Sequence, residues 1–226
     1  MAVIFEHIEK VIRQGLQSMG IALEEKQIQT LLSYLLTLHR WNKVYNLSAI
    51  RDPAVMATLH LLDSLALVPY LRAFVQKNSH PIQLIDVGSG GGLPGLPLAI
   101  ACPEATVTLL DSNGKKTRFL FQTALELGLK NTKVVQDRVE KFSPGHKFSI
   151  VTSRAFSSIG NMLDVSNHLL EEEGEFWAMK GVYPAIELSE YREQLDRVHR
   201  LQIPGCEGER HLLILKKYRS NANTSQ

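Results

Sequence analysis

The sequence predicts an α/β fold: a doubly wound, mostly parallel seven-stranded sheet preceded by a helical N-terminal cap. Three observations predict it. No strand-like run precedes residue 82, short apolar runs alternate with helical stretches from Pro81 onward, and one strand passes through a glycine-rich turn straight into a helix. Strands alternating with helices bury their apolar faces best as a parallel sheet covered on both sides.

The cap is expected over residues 1–80. Ile4, Ile8, Val11, Ile12, Leu16 and Met19 recur at helical spacing and stop at Gly20, a residue suited to a helix C-terminus. A longer helix begins near Glu24, with Ile28, Leu31, Leu32, Leu35, Leu38 and Trp41 on one side. Asp52-Pro53 reads as an N-cap followed by proline in the first turn, and 54–70 supplies more helix, in two pieces around 59–62. Residues 81–219 form the sheet domain. Strands are expected at 83–87, 106–110, 134–136, 148–152, 175–179, 197–202 and 211–217, and helices end near 98–101 and run over 115–127, 159–170 and 185–195. The last two strands have no helix between them, so one edge strand is expected to run antiparallel. The polar residues 220–226 read as a disordered tail.

Composition narrows the function. At 226 residues and 44% hydrophobic, the chain fits one full α/β domain with a small addition. Its two cysteines, Cys102 and Cys206, lie too far apart for a zinc site or a disulfide framework, so no metal is expected and the cytoplasm is the natural compartment. No secretory leader and no apolar run of membrane-spanning length is read. Non-specific nucleic-acid binders usually carry a larger excess than this net charge of +2, which neither proves nor excludes RNA binding, so any RNA contact would rest on local basic clusters.

The most informative stretch is Leu84-Ile-Asp86-Val-Gly88-Ser-Gly90-Gly-Gly92-Leu93-Pro94-Gly95. Glycines let the backbone turn tightly and approach a ligand. Leu93 stands where a dinucleotide fingerprint needs its third glycine, and Asp86 would repel a pyrophosphate but suits a ligand carrying an ammonium or sulfonium. The next strand ends at Asp111, where a carboxylate can accept two ribose hydroxyls; a plain helix cap is the other reading, with Ser112 and Asn113 also available for it. This strand–Asp-x-Gly-x-Gly-x-Gly unit resembles class I S-adenosylmethionine-dependent methyltransferases. Arg154 follows the fourth strand at the cleft, where its guanidinium suits a guanine O6, a phosphate or the cofactor carboxylate, against a simple surface ion pair.

The flanks narrow the resemblance. Leu38-His-Arg-Trp41-Asn-Lys-Val-Tyr45-Asn-Leu47, Arg51-Asp52-Pro53 and His60-Leu-Leu-Asp63-Ser64 resemble the N-terminal signature of the bacterial RsmG family, also called glucose-inhibited division protein B. Gly88 to Gly95, Leu110-Asp111-Ser-Asn-Gly-Lys115-Lys116, Ser153-Arg154-Ala155-Phe156, Met179-Lys180-Gly181 and Gly208-Glu-Arg210-His211 match it in the same order, over about residues 10–217. Gly91 stands where many relatives carry proline or alanine. The resemblance implies S-adenosylmethionine-dependent methylation of N7 of a guanine in 16S ribosomal RNA, guanine 527 in the usual numbering. It implies cofactor contacts at Asp86, Gly88, Gly90, Gly92, Leu93, Asp111, Val139, Glu140 and Arg154, with Arg154 also catalytic. Lys115, Lys116, Arg138, Lys180 and Arg210 are the expected RNA contacts, and each alone also reads as a solvated charge. His39, His60, Trp41 and Tyr45 read as helix packing, and Cys102 as a buried thiol. The expected partner is 16S RNA in the small subunit or an assembly intermediate, bound by a monomer away from membranes. The competing reading is a ribosome-assembly RNA-binding factor with a cofactor-sensing pocket.

Overall fold

The computed structural model describes residues 2–154, 156 and 158–217. The tail expected at 220–226 lies outside the described residues. The cap holds α1 (Ala2–Ser18), α2 (Glu25–Tyr45) and a third helical segment, Pro53–Lys77. That segment runs as α3 (Pro53–Met56), a π-helical turn (Ala57–Leu62), α4 (Asp63–Leu65) and α5 (Val68–Lys77). The sequence signals act as expected. Asp52 Oδ1 accepts from Ala54 N at 2.7 Å with Pro53 in the first turn, and Gly20 takes a φ of 65° beyond the end of α1.

One expectation is corrected here. Pro53–Lys77 is long and apolar enough to cross a membrane, yet 67% of its most apolar window is buried inside the protein. Met56, Leu61, Leu62, Leu65, Leu67, Val68 and Leu71 are buried in the protein's own core, which accounts for the segment's hydrophobicity.

The sheet contains β1 (Gln83–Val87), β2 (Thr106–Asp111), β3 (Thr132–Gln136), β4 (Phe148–Ser153), β5 (Leu170–Lys180), β6 (Leu195–Arg200) and β7 (His211–Lys216), in the order β3-β2-β1-β4-β5-β7-β6. From β3 to β5 all neighbours are parallel, and β7 is antiparallel to both β5 and β6. The reversed strand is therefore the penultimate one, not the edge. Burial explains the exchange: β7 is almost wholly buried and needs the interior, whereas the charged β6 leaves most of its side chains accessible at the edge. β5 also starts five residues earlier than expected. Leu170 pairs with Phe148 and Glu175 with Ile150, so a bulge in β5 absorbs the polar run between them.

On one face of the sheet the cap packs with α6 (Gly95–Ala101) and α7 (Gly114–Glu126); α8 (Ile159–Ser166) and α9 (Ala185–Leu188) cover the other. A single apolar cluster joins Ile8, Leu35 and Leu61 of the cap to Leu96, Trp177 and Ile214 of the sheet layer, so the cap has no core of its own. The helix expected over 185–195 stops after α9 and a single 3-10 turn, Ser189–Tyr191, because β6 begins at Leu195.

Candidate active site

The strand order reverses between β1 and β4, and that is where the C-terminal strand ends of an open α/β sheet leave a crevice. The loop after β1 builds its floor. Gly88 N and Ser89 N donate to the Leu110 carbonyl at 2.8 and 3.1 Å, and Gly90 N donates to Asp111 Oδ2 at 2.9 Å. Gly90 takes a φ of 58°, and a Cβ there would meet nothing closer than 3.8 Å, so its glycine serves the left-handed backbone and leaves the loop surface open. Gly95 is glycine for the opposite reason: an added Cβ would lie 2.3 Å from Leu109 Cδ2 and 2.8 Å from Asp86 Oδ2.

The cap braces this loop from behind. The buried Tyr34 of α2 donates its hydroxyl to the Gly91 carbonyl at 2.7 Å, and Gln27 Nε2 donates to the Ile100 carbonyl at 2.8 Å. A Cβ on residue 91 would come within 3.0 Å of a Leu38 methyl, the flexible end of a side chain.

A cleft of about 440 Å³ is lined by Val87, Gly88, Leu110, Asp111, Ser112, Lys116, Asp137, Arg138, Val139, Glu140, Ser153 and Phe156. Asp111 is its most constrained carboxylate. Oδ2 accepts from Gly90 N, Oδ1 accepts from Asn113 N at 2.8 Å, and Lys116 Nζ stands 3.7 Å from Oδ2. Asn113 caps α7 by accepting from Lys115 N and Lys116 N, which frees Asp111 to face the cleft.

Five of the expected cofactor contacts, Asp86, Gly90, Gly92, Leu93 and Arg154, do not line this cleft. Asp86 is fully buried beneath the loop, where Oδ2 accepts from Gly95 N at 2.9 Å, and it does not line the cleft. Burial pushes its carboxyl up to about 7, partly offset by the Gly95 amide. Asp86 thus holds the start of α6 through one oxygen, and among the described residues its Oδ1 has no hydrogen-bond partner. The Leu93 side chain is packed in the apolar core, away from the cleft. Gly90 and Gly92 shape the loop from outside the lining, with Gly92 at a φ of 86°. Lys115 is an exposed residue at the start of α7.

Arg154 also moves. It lines a second cavity of about 400 Å³, with His60, Asp63, Lys180, Arg210 and His211, and not the first cleft. Ser153 and Phe156 line the first cleft and Arg154 the second, and Lys180 Nζ reaches the Phe156 carbonyl at 3.5 Å. Arg154 Nη1 donates to the Leu59 carbonyl at 3.2 Å and to Asp63 Oδ2 at 3.3 Å. Arg210 Nε donates to Asp63 Oδ1 at 3.0 Å, and Lys180 pairs with Glu187 at 3.6 Å. Burial raises the Asp63 carboxyl above its ordinary value while the two guanidiniums pull it back.

His60 is more than helix packing. The Ser48 hydroxyl, which accepts from Ile50 N, lies 2.6 Å from His60 Nε2, and His60 Nδ1 lies 3.1 Å from the Leu59 carbonyl and 3.4 Å from Arg154 Nη2. Burial and the nearby Arg154 charge lower the imidazole to about 4, so it is neutral at pH 7. Asp63, His60 and Tyr34 are the residues that sequence reasoning left without a functional role. The π-turn at 57–62, a feature that recurs at functional sites, is the structural mark of the first two.

Cys102 is buried at the end of α6, as a structural thiol should be, and Trp41 stacks on Tyr45 with ring centroids 5.1 Å apart.

Comparison with known proteins places the chain by family and by fold. Residues 27–213 match the family model described as rRNA small subunit methyltransferase G. Proteins of that name from Stutzerimonas stutzeri and Hahella chejuensis are 51% and 46% identical, covering 93% and 96% of this chain and 96% and 97% of their own. Among solved structures, S-adenosylmethionine-dependent methyltransferases from Agrobacterium tumefaciens and Aquifex aeolicus superpose with TM-scores of 0.54 and 0.53 at 13% and 15% identity. They cover 70% and 69% of this chain and 63% and 93% of their own. The sheet domain therefore has the class I methyltransferase fold, and the chain belongs to the rRNA small subunit methyltransferase G family.

Proposed function

We propose that the protein transfers a methyl group from S-adenosylmethionine to N7 of a guanine in 16S ribosomal RNA, guanine 527 in the usual numbering. The target would lie in the small subunit or an assembly intermediate, in the cytoplasm. Family membership supports the coarse statement, methylation of small-subunit ribosomal RNA. The observation that supports the finer one is the pair of cavities lined by consecutive residues, Ser153 in the first and Arg154 in the second. The first offers a carboxylate and an open glycine loop; the second offers the guanidiniums of Arg154 and Arg210 with Lys180.

The residues of the first cleft fit the cofactor. Asp111 uses one lone pair on each oxygen for a backbone amide, and its remaining lone pairs suit a vicinal ribose diol. Val139 supplies apolar surface for an adenine, and the open backbone at Gly88 and Gly90 admits the amino-acid end. When bound, the cofactor supplies an electrophilic methyl on a sulfonium.

Guanine N7 has a lone pair and no proton, so no general base is required. The work left to the protein is to bring N7 in line with the methyl and keep water out. A guanidinium aimed at N7 would occupy the attacking lone pair, so the role that suits Arg154 is to hold O6 or a phosphate. Its place in the second cavity favours RNA over the cofactor carboxylate as its ligand. Lys116 and Arg138, which line the first cleft, and Lys115 beside it suit phosphates near the entrance.

The test supplies labelled S-adenosylmethionine to undermethylated small subunits and to their purified RNA, then digests the product to nucleosides. Label in 7-methylguanosine is expected. Label in another nucleoside would refute the N7 assignment, and cofactor binding without transfer to either substrate would favour the assembly-factor reading.

A further inference from the structure

Asp63 is a buried carboxylate, 4% of its side chain exposed, set between two arginines that come from distant parts of the chain. Arg154 follows β4, Arg210 precedes β7, and Asp63 comes from the cap, directly after the π-turn. Each carboxylate oxygen takes one guanidinium, Oδ2 at 3.3 Å from Arg154 and Oδ1 at 3.0 Å from Arg210. Both arginines remain partly exposed, at 28% and 27%, so each still offers N–H groups to the cavity.

Stability alone is a poor reason for this arrangement, because apolar side chains of similar volume usually stabilise a buried site at least as well as an ion network does. Aim is a better reason. A guanidinium is a rigid fork, and fixing one edge of it fixes where the other edge points. Without a shared counter-ion, two neighbouring cations would move apart. The neutral His60 beside Arg154 adds no third charge, and the Leu59 carbonyl fixes a second point on the same fork. Lys180, the other cation of the cavity, has its own partner in Glu187.

We propose that Asp63 is a positioning residue, which holds Arg154 and Arg210 at a set spacing so that the target nucleotide of the RNA meets a preformed guanidinium pair. This rests on the RNA-methylating function proposed above. It also assigns the cap a part in the reaction, since the cap carries the residue that orients the arginines of the sheet domain.

The experiment compares Asp63→Asn with the wild-type full-length protein on undermethylated small subunits. Single-turnover transfer, cofactor affinity and the salt dependence of subunit binding are measured side by side. Asparagine keeps the volume and one acceptor but turns an N–H₂ toward one of the guanidiniums. The expected result is a transfer rate lower by about 100-fold, the scale set by misplacing a reacting group by about 1 Å. Cofactor affinity should stay within twofold, because Asp63 does not line the first cleft. Subunit binding should be retained, with a salt slope steeper by about 0.7 as one released guanidinium meets a phosphate.

A merely structural role would lower melting temperature, cofactor affinity and subunit binding together and leave the slope unchanged. That result, or a saturated rate within threefold of wild type, would overturn the proposal. If Asp63→Asn does not fold, Arg210→Lys keeps the charge and the Asp63 carboxylate but loses the fork; a comparable loss of transfer rate is then required with cofactor affinity within twofold and the salt slope unchanged. Wild-type protein that transfers no methyl to RNA would overturn the function and this proposal together. An active wild type with an unaltered variant overturns this proposal alone.

Discussion

Replacing Asp111 with asparagine separates two things the carboxylate does. It accepts Gly90 N–H at 2.9 Å and Asn113 N–H at 2.8 Å, one on each oxygen. Asparagine has one carbonyl, so one of these amides would face an N–H₂ group, a loss of about 1–3 kcal/mol. For a chain of this size that lowers the melting temperature by roughly 2–4 °C per kcal/mol. The Lys116 contact adds little, being 3.7 Å long with the lysine 38% exposed. Cofactor binding should suffer more. Losing one charge-assisted bond to a ribose diol, at about 1.5 kcal/mol, and weakening the other to a neutral one, at about 0.5 kcal/mol, corresponds to a dissociation constant roughly 30-fold higher. Calorimetric titration with S-adenosylmethionine, at a temperature where the variant is folded, reads this directly. A dissociation constant within threefold of wild type, with only the melting temperature lowered, would refute the ribose role and leave Asp111 as a brace of the glycine loop.

Other outcomes follow from the same geometry. Arg154→Ala should leave the cofactor dissociation constant within threefold while turnover on small subunits drops about 100-fold; an equal fall in both would make Arg154 a cofactor ligand. Tyr34→Phe removes the hydroxyl that holds the Gly91 carbonyl, so thermal melting should show a loss of about 1–2 kcal/mol and titration a severalfold weaker cofactor affinity. The pH dependence of stability carries two opposed contributions. His60 is depressed to about 4, so its contribution is present above about 6.5 and is lost as pH falls toward 4; Asp86 is raised to about 7, so its contribution is present below about 4 and is lost as pH rises toward 7. Between pH 4 and 6.5 they offset one another. Asp86→Asn should therefore make the melting temperature fall on acidification through that window, more steeply than in wild type, and an unchanged slope would contradict the assignment for Asp86.

Much of this fold is legible because its signals are local. Asp52-Pro53, Gly20 and the alternating runs after residue 81 specify their elements through capping, backbone freedom and periodicity, and these act within a few residues. Asp111 is legible for the same reason, standing at the end of an apolar strand. The site's remainder depends on pairs that spacing cannot reveal. Arg154 and Asp63 are 91 positions apart, and Arg210 and Asp63 are 147 apart. Tyr34 looks like any aromatic residue of an amphipathic helix until its hydroxyl is found on the Gly91 carbonyl 57 residues away. Asp86 is ambiguous in a different way, because a carboxylate before a glycine loop suits a cation but also suits the first amide of the next helix. The Gly95 amide on its Oδ2 reveals the second role. The position of β7 is hidden likewise: a helix-free connection predicts a reversed strand, while burial of both its faces places that strand inside the sheet.

The most direct test of the central claim locates the modified nucleotide. Undermethylated small subunits would be treated with the protein and S-adenosylmethionine, and their 16S RNA reduced with borohydride and cleaved with aniline, which cuts at N7-methylguanine. A single new cut at guanine 527, absent without cofactor and strongly reduced with Arg154→Ala, is the expected result. Methyl transfer with no aniline-sensitive site, or cuts scattered along the RNA, would contradict in-line methylation of one guanine N7 held by the second cavity.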